Sequence, residues 1–424
     1  MRLQPSVSLW RHQDFLKLWS AQATSVFGTQ LASLAYSLTA ILTLQATPFQ
    51  MGMLNATGSA SAALVGLFAG VFVGRMRRRP LLIITDLGRA ALAATIPLAA
   101  ILGVLHIGQL YVLRFLFGAL SIISEIALMA LLPALVAREQ LIEGNSKISA
   151  TDAAASIAGP SLSGALVQLV TAPLAIIVDV ISFIVSAFFV WLIRSPEPEA
   201  LHEATTRPSV WAEIREGLRV VFGNPTLSPL SQGIALHFLF ALMISTVFIL
   251  YAVRELHLEP LLLGFILAAF GPGFLLGALL AGRISKRYGV GPTMIGSTLL
   301  NATASALIPL AGGSLLSTVS MLITAHLMLA FGIQVHGINL MSLRQAITPH
   351  RLQGRMNASF RVINVCAMMT GALAAGLLGE VIGLRATLAV GAAGMFLPFL
   401  RLLFSPVRQL KEIPSVVVGE ENEE

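Results

Sequence analysis

A single cysteine, Cys366, stands in a chain of 424 residues. Neither an intrachain disulfide framework nor a zinc centre built on several thiolates is therefore available, and the redox compartment cannot be read from it. Charge is equally scarce: Asp, Glu, Lys and Arg make up 11% of the chain, where a water-facing surface needs about a quarter. That excludes a soluble globular protein. The phosphate loop Gly-x-x-x-x-Gly-Lys-Ser/Thr is missing, as are His-Glu-x-x-His, Cys-x-x-Cys and Gly-x-Ser-x-Gly. Their absence argues against ATP hydrolysis and against an intramembrane enzyme, and no cofactor or metal is expected. No short apolar core with a small-residue cleavage site precedes the first long span, so no cleaved signal peptide is read.

What the chain has is apolar length. Hydrophobic residues reach 56%, enough for roughly twelve spans of about 20 residues. The runs predict spans at 15–44, 51–74, 81–103, 109–133, 149–170, 174–193, 227–253, 261–282, 290–312, 315–343, 357–379 and 386–404. The polar breaks between them alternate in charge. All Lys and Arg but Arg114, Arg254 and Arg385 fall on one side, and the positive-inside bias makes that side cytoplasmic, with both termini inside. Topology thus accounts for the net charge of +7 without a nucleic-acid partner. The lipid bilayer is the expected surrounding.

The expected organisation is two six-helix halves, 1–193 and 226–410, joined by a cytoplasmic linker at 194–225 and followed by an acidic tail at 411–424. The linker carries Pro196, Pro198 and Pro208, and Ser209 can cap a short amphipathic helix with Trp211, Ile214, Leu218 and Val221 on one side. The halves repeat. Val73 to Arg79 aligns without gaps to Ala281 to Arg287, at an offset of 208, and both Ile96-Pro97-Leu98-Ala99 with Ile308-Pro309-Leu310-Ala311 and Gly159/Gly164 with Gly371/Gly376 align at an offset of 212. Two such halves imply a pseudo-two-fold axis along the membrane normal and a central cavity. The fold expected is an all-α membrane protein of twelve transmembrane helices.

A charge at mid-membrane costs about 2.5–3.5 kcal/mol on insertion scales, so each intramembrane ionisable group needs a reason. Glu125 follows Arg114 by eleven residues, about 20° from the same helix face and about 16 Å along it. The pair reads either as a proton site tuned by a cation or as a snorkelling, locally paired acid. Asp179 reads either as a proton site or as a helix-packing hydrogen bond. Asp86 and Arg89, three apart, can pair within one helix. Gln22, His237, His326, Gln334, His336 and Asn339 are candidates to line a substrate cavity or to satisfy neighbouring helices. His326 and His336 lie about 80° apart around their helix, unsuited to sharing a metal.

With these residues in place the chain resembles the major facilitator superfamily. Gly70-Val71-Phe72-Val73-Gly74-Arg75-Met76-Arg77-Arg78-Arg79 is similar to that family's loop motif, although Gly74 stands where its Asp belongs and Gly282 repeats the departure. The resemblance implies a cytoplasmic gate built from Arg75, Arg77, Arg78, Arg79, Asp86 and Arg89, and from Arg283, Lys286 and Arg287, with a weaker or differently composed latch. Leu110 through Arg114 to Gly118 is similar to the antiporter pattern of span four, with Phe117 in place of its usual Gln. Gly159-Pro160-Ser161-Leu162-Ser163-Gly164 is similar to the antiporter motif of span five, with Ser163 replacing a glycine; Gly159, Pro160, Ser163 and Gly164 are its helix-packing positions. Asp14-Phe15-x-x-Leu18-Trp19, Asp86-x-x-Arg89, Asp179-x-x-Ser182-Phe183, Glu216-Gly217-Leu218 and Asn224-Pro225 resemble the bacterial branch that exports siderophores and macrolides, which implies a bacterial cytoplasmic membrane as the location. Many members carry Gly-Asp in span one where this chain has Gly28-Thr29.

These observations imply a proton-coupled exporter of small amphipathic compounds such as drugs, siderophores or secondary metabolites. It would work as a monomer by alternating access, with Glu125, Arg114 and Asp179 as the coupling candidates. Uptake or uncoupled transport of a small solute is the alternative.

Overall fold

A computed structural model describes residues 9–74, 76–195 and 210–412. Sixteen α-helices and no strand occur among them. They are α1 (Gln13–Leu38), α2 (Pro48–Gly74), α3 (Arg78–Ile101), α4 (Ile107–Leu135), α5 (Leu141–Val170), α6 (Ala172–Ala175), α7 (Ile177–Trp191) and α8 (Val210–Gly223). Then follow α9 (Leu227–Arg254), α10 (Pro260–Ala268), α11 (Phe270–Tyr288), α12 (Val290–Leu310), α13 (Leu315–Ile347), α14 (His350–Val381), α15 (Leu384–Gly394) and α16 (Phe396–Leu403). Three spans are helix pairs: α6 with α7, α10 with α11, and α15 with α16. Among the described residues, eleven segments are long and apolar enough to cross a membrane. Beside them stands α2, 27 residues without a charged side chain. The outward surface is apolar: Leu169 is 82% exposed and Leu316 and Val381 are 80% exposed, an arrangement suited to lipid rather than water. Arg75, Pro196, Pro198, Pro208, Ser209 and most of the acidic tail lie outside the described residues.

Local signals set the helix ends. His12 caps α1 by accepting a hydrogen bond at Nδ1 from the Phe15 amide at 3.1 Å, and Ser314 caps α13 through the Ser317 amide. Between α11 and α12 the chain turns at Gly289 with φ of +92°, a conformation that penalises any side chain. Thr39–Thr43 continues α1 as a π-helix.

Two compact units emerge. The first comprises Met1–Thr205 with Ile249–Ala268, and the second Thr206–Phe248 with Ala269–Glu424. In the first, α1 packs on α5 and α7, α3 on α4 and α7, α2 on α4, and α5 on α10. Its core, around Phe15, Leu18, Leu81, Leu131, Leu132 and Ile193, is fully or almost fully buried. In the second, α13 packs on α11 and α12, and α8 on α14, with Leu230, Met294, Leu343 and Leu402 in its core.

The 212-residue offset extends to packing. A Cβ on Gly28 would lie 2.0 Å from Ser182 Oγ, and one on Gly394 2.2 Å from Phe240. Residues 28 and 182 correspond at that offset to 240 and 394, so the same contact occurs in each half with the small residue on the opposite helix. This is independent support for the repeat.

Candidate functional site

The first unit holds a buried carboxylate beside a cavity. Asp179 sits in the first turn of α7 and is fully buried. Two side chains of α1 reach it: Thr29 Oγ1 donates to Oδ1 at 3.0 Å and the Tyr36 hydroxyl donates to Oδ2 at 2.8 Å. Seven residues separate these donors, two turns of one helix, so both project from one face. Gly28, one position before Thr29, lets the backbones approach closely enough for this contact. On the same face of α7, Ser182 donates to the Asp179 carbonyl at 2.8 Å.

Thr29, Ser33, Tyr36, Ser37, Asn55, Leu92, Ile96, Arg114 and Phe117 are among the residues lining the adjoining cavity, whose volume is about 180 Å³. Hydroxyls line one part and aliphatic and aromatic groups another. Arg114 enters from α4 and runs past Gly58 of α2, where a Cβ would come within 3.0 Å of its Nε. It has no carboxylate partner among the described residues and lines the same cavity as Tyr36. The other two basic residues set against the charge bias are satisfied by carbonyls. Arg254 donates to Ala46 O at 2.9 Å and Arg385 to Pro309 O at 2.7 Å.

Deeper in this unit, Arg89 pairs with Asp86 and donates to Ser124 Oγ at 3.0 Å. Ser186 donates to the other Asp86 oxygen at 2.7 Å, and the guanidinium lies 4.4 Å from the Phe183 ring centroid. This network joins α3, α4 and α7. Glu125 is exposed on α4 and makes no ion pair with Arg114.

The candidate gate residues divide. Arg77 is the N-cap residue of α3, and Arg78 and Arg79 follow in its first turn. Arg79 donates to Val190 O at 3.2 Å and also to Trp191 O, while Lys17 donates to Leu192 O at 2.9 Å. Asp14 receives hydrogen bonds from the Arg194 and Ser195 amides and the Ser195 hydroxyl. Arg79, in the first turn of α3, is thus seated on carbonyls at the end of α7. Arg283, Lys286 and Arg287 are exposed at the end of α11.

In the antiporter-like segment, a Cβ on Gly164 would lie 2.3 Å from Pro260 O, and one on Gly264 2.5 Å from Pro160 O. Gly159 meets Gln30 of α1 in the same way, and Ser163 is fully buried. This face of α5 is a backbone contact surface.

The remaining cavity candidates separate by role. Gln22 is half-buried on α1. His326 is buried, with Nδ1 2.8 Å from Leu322 O and its ring 4.9 Å from that of Phe248. Asn339 accepts from Ser285 at 2.7 Å, tying α11 to α13. Gln334 lies beside Gly277 on the same pair of helices. His336 approaches Ser297 at 3.5 Å and Met294 O at 3.4 Å, and the His237 ring lies 5.8 Å from that of Phe238. Among the described residues no group of three or more His, Cys, Asp and Glu is placed to hold a metal.

The halves are chemically unequal. At the 212-residue offset, Asp179, Tyr36 and Arg114 correspond to Gly391, Phe248 and His326, so among the described residues this carboxylate has no counterpart in the second unit. Sequence reasoning missed Tyr36. Its spacing from Thr29 was a usable signal, but only after Asp179 had been placed opposite.

A helical membrane protein with this repeat is a secondary transporter in architecture, and comparison with known proteins agrees. Residues 5–421 match the family described as transmembrane secretion effector. The chain belongs to that family, within the major facilitator superfamily, whose members are transporters rather than enzymes. It is 25% identical over 427 residues to the uncharacterized MFS-type transporter YfiS of Bacillus subtilis, covering 98% of each chain. It is 26% identical over 416 residues to the enterobactin exporter EntS of Citrobacter koseri, covering 96% of each. Macrolide efflux protein A of Streptococcus pyogenes is 23% identical over 301 residues, 70% of this chain and 74% of that protein. The fold matches the nucleoside transporter NupG with a TM-score of 0.73 at 10% identity, covering 93% of this chain and 98% of that one. It also matches a bacterial homologue of ferroportin with a TM-score of 0.70 at 17% identity, covering 92% and 98%.

Proposed function

We propose that this protein exports small amphipathic compounds from the bacterial cytoplasm in exchange for protons, with Asp179 as the coupling acid. One observation carries the reading: a fully buried carboxylate, held by Thr29 and Tyr36, shares its tyrosine with a cavity that Arg114 also lines. A carboxylate so placed is neutral when protonated and charged when not, and the cost of that charge in a low-dielectric setting differs with the cavity's access to water. Thr29 and Tyr36 donate to the ionised form and favour it; burial opposes it.

This ordering departs from the sequence expectation, which set Glu125 first. Glu125 is exposed and lacks the enclosing donors of Asp179, so it is retained as the second candidate. The mixed hydroxyl and apolar lining of the cavity suits an amphipathic solute, and the names of the enterobactin and macrolide relatives support export. Alternating access of two halves, cytoplasmic termini and a monomeric working unit complete the proposal. The test is transport into inverted vesicles carrying the full chain, with a macrolide, a catecholate siderophore and a cationic dye as probes. Uptake of one of them that rises with an imposed pH gradient and collapses with an uncoupler supports export by proton exchange. Uptake unaffected by the gradient contradicts it.

A further inference from the structure

Arg114 is the anomaly of the cavity beside Asp179. It belongs to α4, a segment apolar enough to cross a membrane, and its side chain is open to the cavity. A guanidinium carries five N–H donors, yet among the described residues none of these meets a carbonyl, hydroxyl or carboxylate. Arg254 and Arg385, the other two basic residues set against the charge bias, both end on backbone carbonyls. Gly58 of α2 makes room for the Arg114 guanidinium: a Cβ there would lie 3.0 Å from Nε and 3.7 Å from Cζ.

The acids that could answer this cation are engaged or distant. Among the described residues of the first unit, Asp86 and Asp179 are the buried ones. Asp179 accepts from Thr29 and Tyr36, while Asp86 pairs with Arg89 and accepts from Ser186. Acids outside the described residues belong to the linker and the tail. Arg114 stands about 32 Å of helix from Leu135, the end of α4 that shares a core with Ile193, where the linker begins. A cation at this depth with unmet donors is costly, and an anion relieves both the charge and the donors.

The lining indicates which anion fits. Among the described residues that line the cavity, Arg114 alone is charged, so a monoanion matches it and a doubly charged phosphate does not. A planar carboxylate accepts two parallel N–H bonds from the guanidinium fork, and Ser37 adds a hydroxyl to the same cavity. The rest of the wall is apolar, with Leu92, Leu110 and Phe117, and the Phe117 ring centroid lies 6.1 Å from that of Tyr36. An inorganic anion gains nothing from such a wall, whereas an aromatic ring buries its faces there. A cavity of about 150 Å³ holds one benzene ring, and the 180 Å³ or so present here leaves room for a carboxylate beside it. We propose that this cavity binds the carboxylate of a single-ring aromatic acid, with Arg114 as its anchor. That acid is the solute, or one end of the solute, of the proposed export, so the site rests on that reading, but its binding requires no gradient.

The full chain in detergent is titrated near neutral pH with para-fluorobenzoate, which is then ionised, or with its neutral isostere para-fluorobenzamide. Fluorine NMR linewidths report binding. The acid should saturate at about tenfold lower concentration than the amide, as a charge-assisted pair requires. Arg114→Gln should bring the acid to the level of the amide while binding of the amide persists, which separates a lost anchor from a lost fold. Arg114→Lys should keep part of the preference, having the charge without the fork. A large excess of chloride should leave most of the acid bound. Absence of saturation by the acid, equal affinity for acid and amide, an undiminished preference in Arg114→Gln, or displacement by chloride would each overturn the proposal. Because no gradient enters, loss of the preference strikes the aromatic acid alone, and loss of gradient-driven uptake in vesicles strikes the export reading alone.

Discussion

Thr29 Oγ1 donates to Asp179 Oδ1 at 3.0 Å, which makes a hydroxyl on α1 the partner of a carboxylate on α7. Many relatives of this architecture place an acid after the glycine of span one, and this chain has Thr29 there. The acid is nonetheless present at that contact, supplied by the neighbouring span. Tyr36 closes the other oxygen at 2.8 Å and carries the site to the cavity wall.

The Asp86–Arg89 pair should behave as a structural unit. Asp86 is 3% and Arg89 8% exposed, so removing one partner leaves a buried charge uncompensated. Arg89→Ala is expected to destabilise the protein by about 3–5 kcal/mol. The double variant Asp86→Asn/Arg89→Gln should be less damaging than that single change, because no charge is stranded. Thermal unfolding in detergent, followed by circular dichroism, ranks the three proteins. A double variant less stable than Arg89→Ala would refute the pairing argument.

Backbone contact between α5 and α10 predicts a sharp size limit. A methyl group on Gly164 would lie 2.3 Å from Pro260 O, whereas nothing stands within 4 Å of one on Gly282. Gly164→Ala should cost about 1–3 kcal/mol through overpacking, and Gly282→Ala should be close to neutral. Melting temperatures of the two variants give the comparison; equal losses would mean that α5 is not packed as described.

Orientation can be read by labelling. In a Cys366→Ser background, Ser285→Cys should react with an impermeant maleimide only from the cytoplasmic side, and Gly108→Cys only from outside, as the basic breaks require. Reaction of Ser285→Cys in intact cells would reverse the topology and the gate assignment with it.

The spans were legible because apolar runs and basic breaks are local signals: α5 ends at Val170 and α12 at Leu310, against expected ends at 170 and 312. Gly159 to Gly164 was legible as a packing surface for the same reason, since small residues at short spacing need no knowledge of their partner. The coupling site was legible only in pieces. Asp179 stood out as a charge in an apolar run, but its donors lie 150 and 143 residues earlier, and no local pattern joins them. Arg79 is a parallel case. Its position suggests a gate, yet its partners are backbone carbonyls at 190 and 191, which leave no mark in the side-chain sequence. Glu125 and Arg114 share a helix face by spacing, but a common face does not bring groups about 16 Å apart into contact.

The most direct measurement of the central claim compares Asp179→Asn, Glu125→Gln and the unmodified protein in proteoliposomes under an imposed pH gradient, using whichever probe the unmodified protein accumulates. Asp179→Asn keeps the side chain's size and remains neutral, so it should abolish gradient-driven accumulation while leaving exchange of labelled for unlabelled probe largely intact. Tyr36→Phe should reduce accumulation in part, having removed one of the two donors that favour the ionised acid. Glu125→Gln should accumulate the probe nearly as well as the unmodified protein. Full gradient-driven accumulation by Asp179→Asn would contradict the account, and its loss in Glu125→Gln alone would transfer the coupling role to α4.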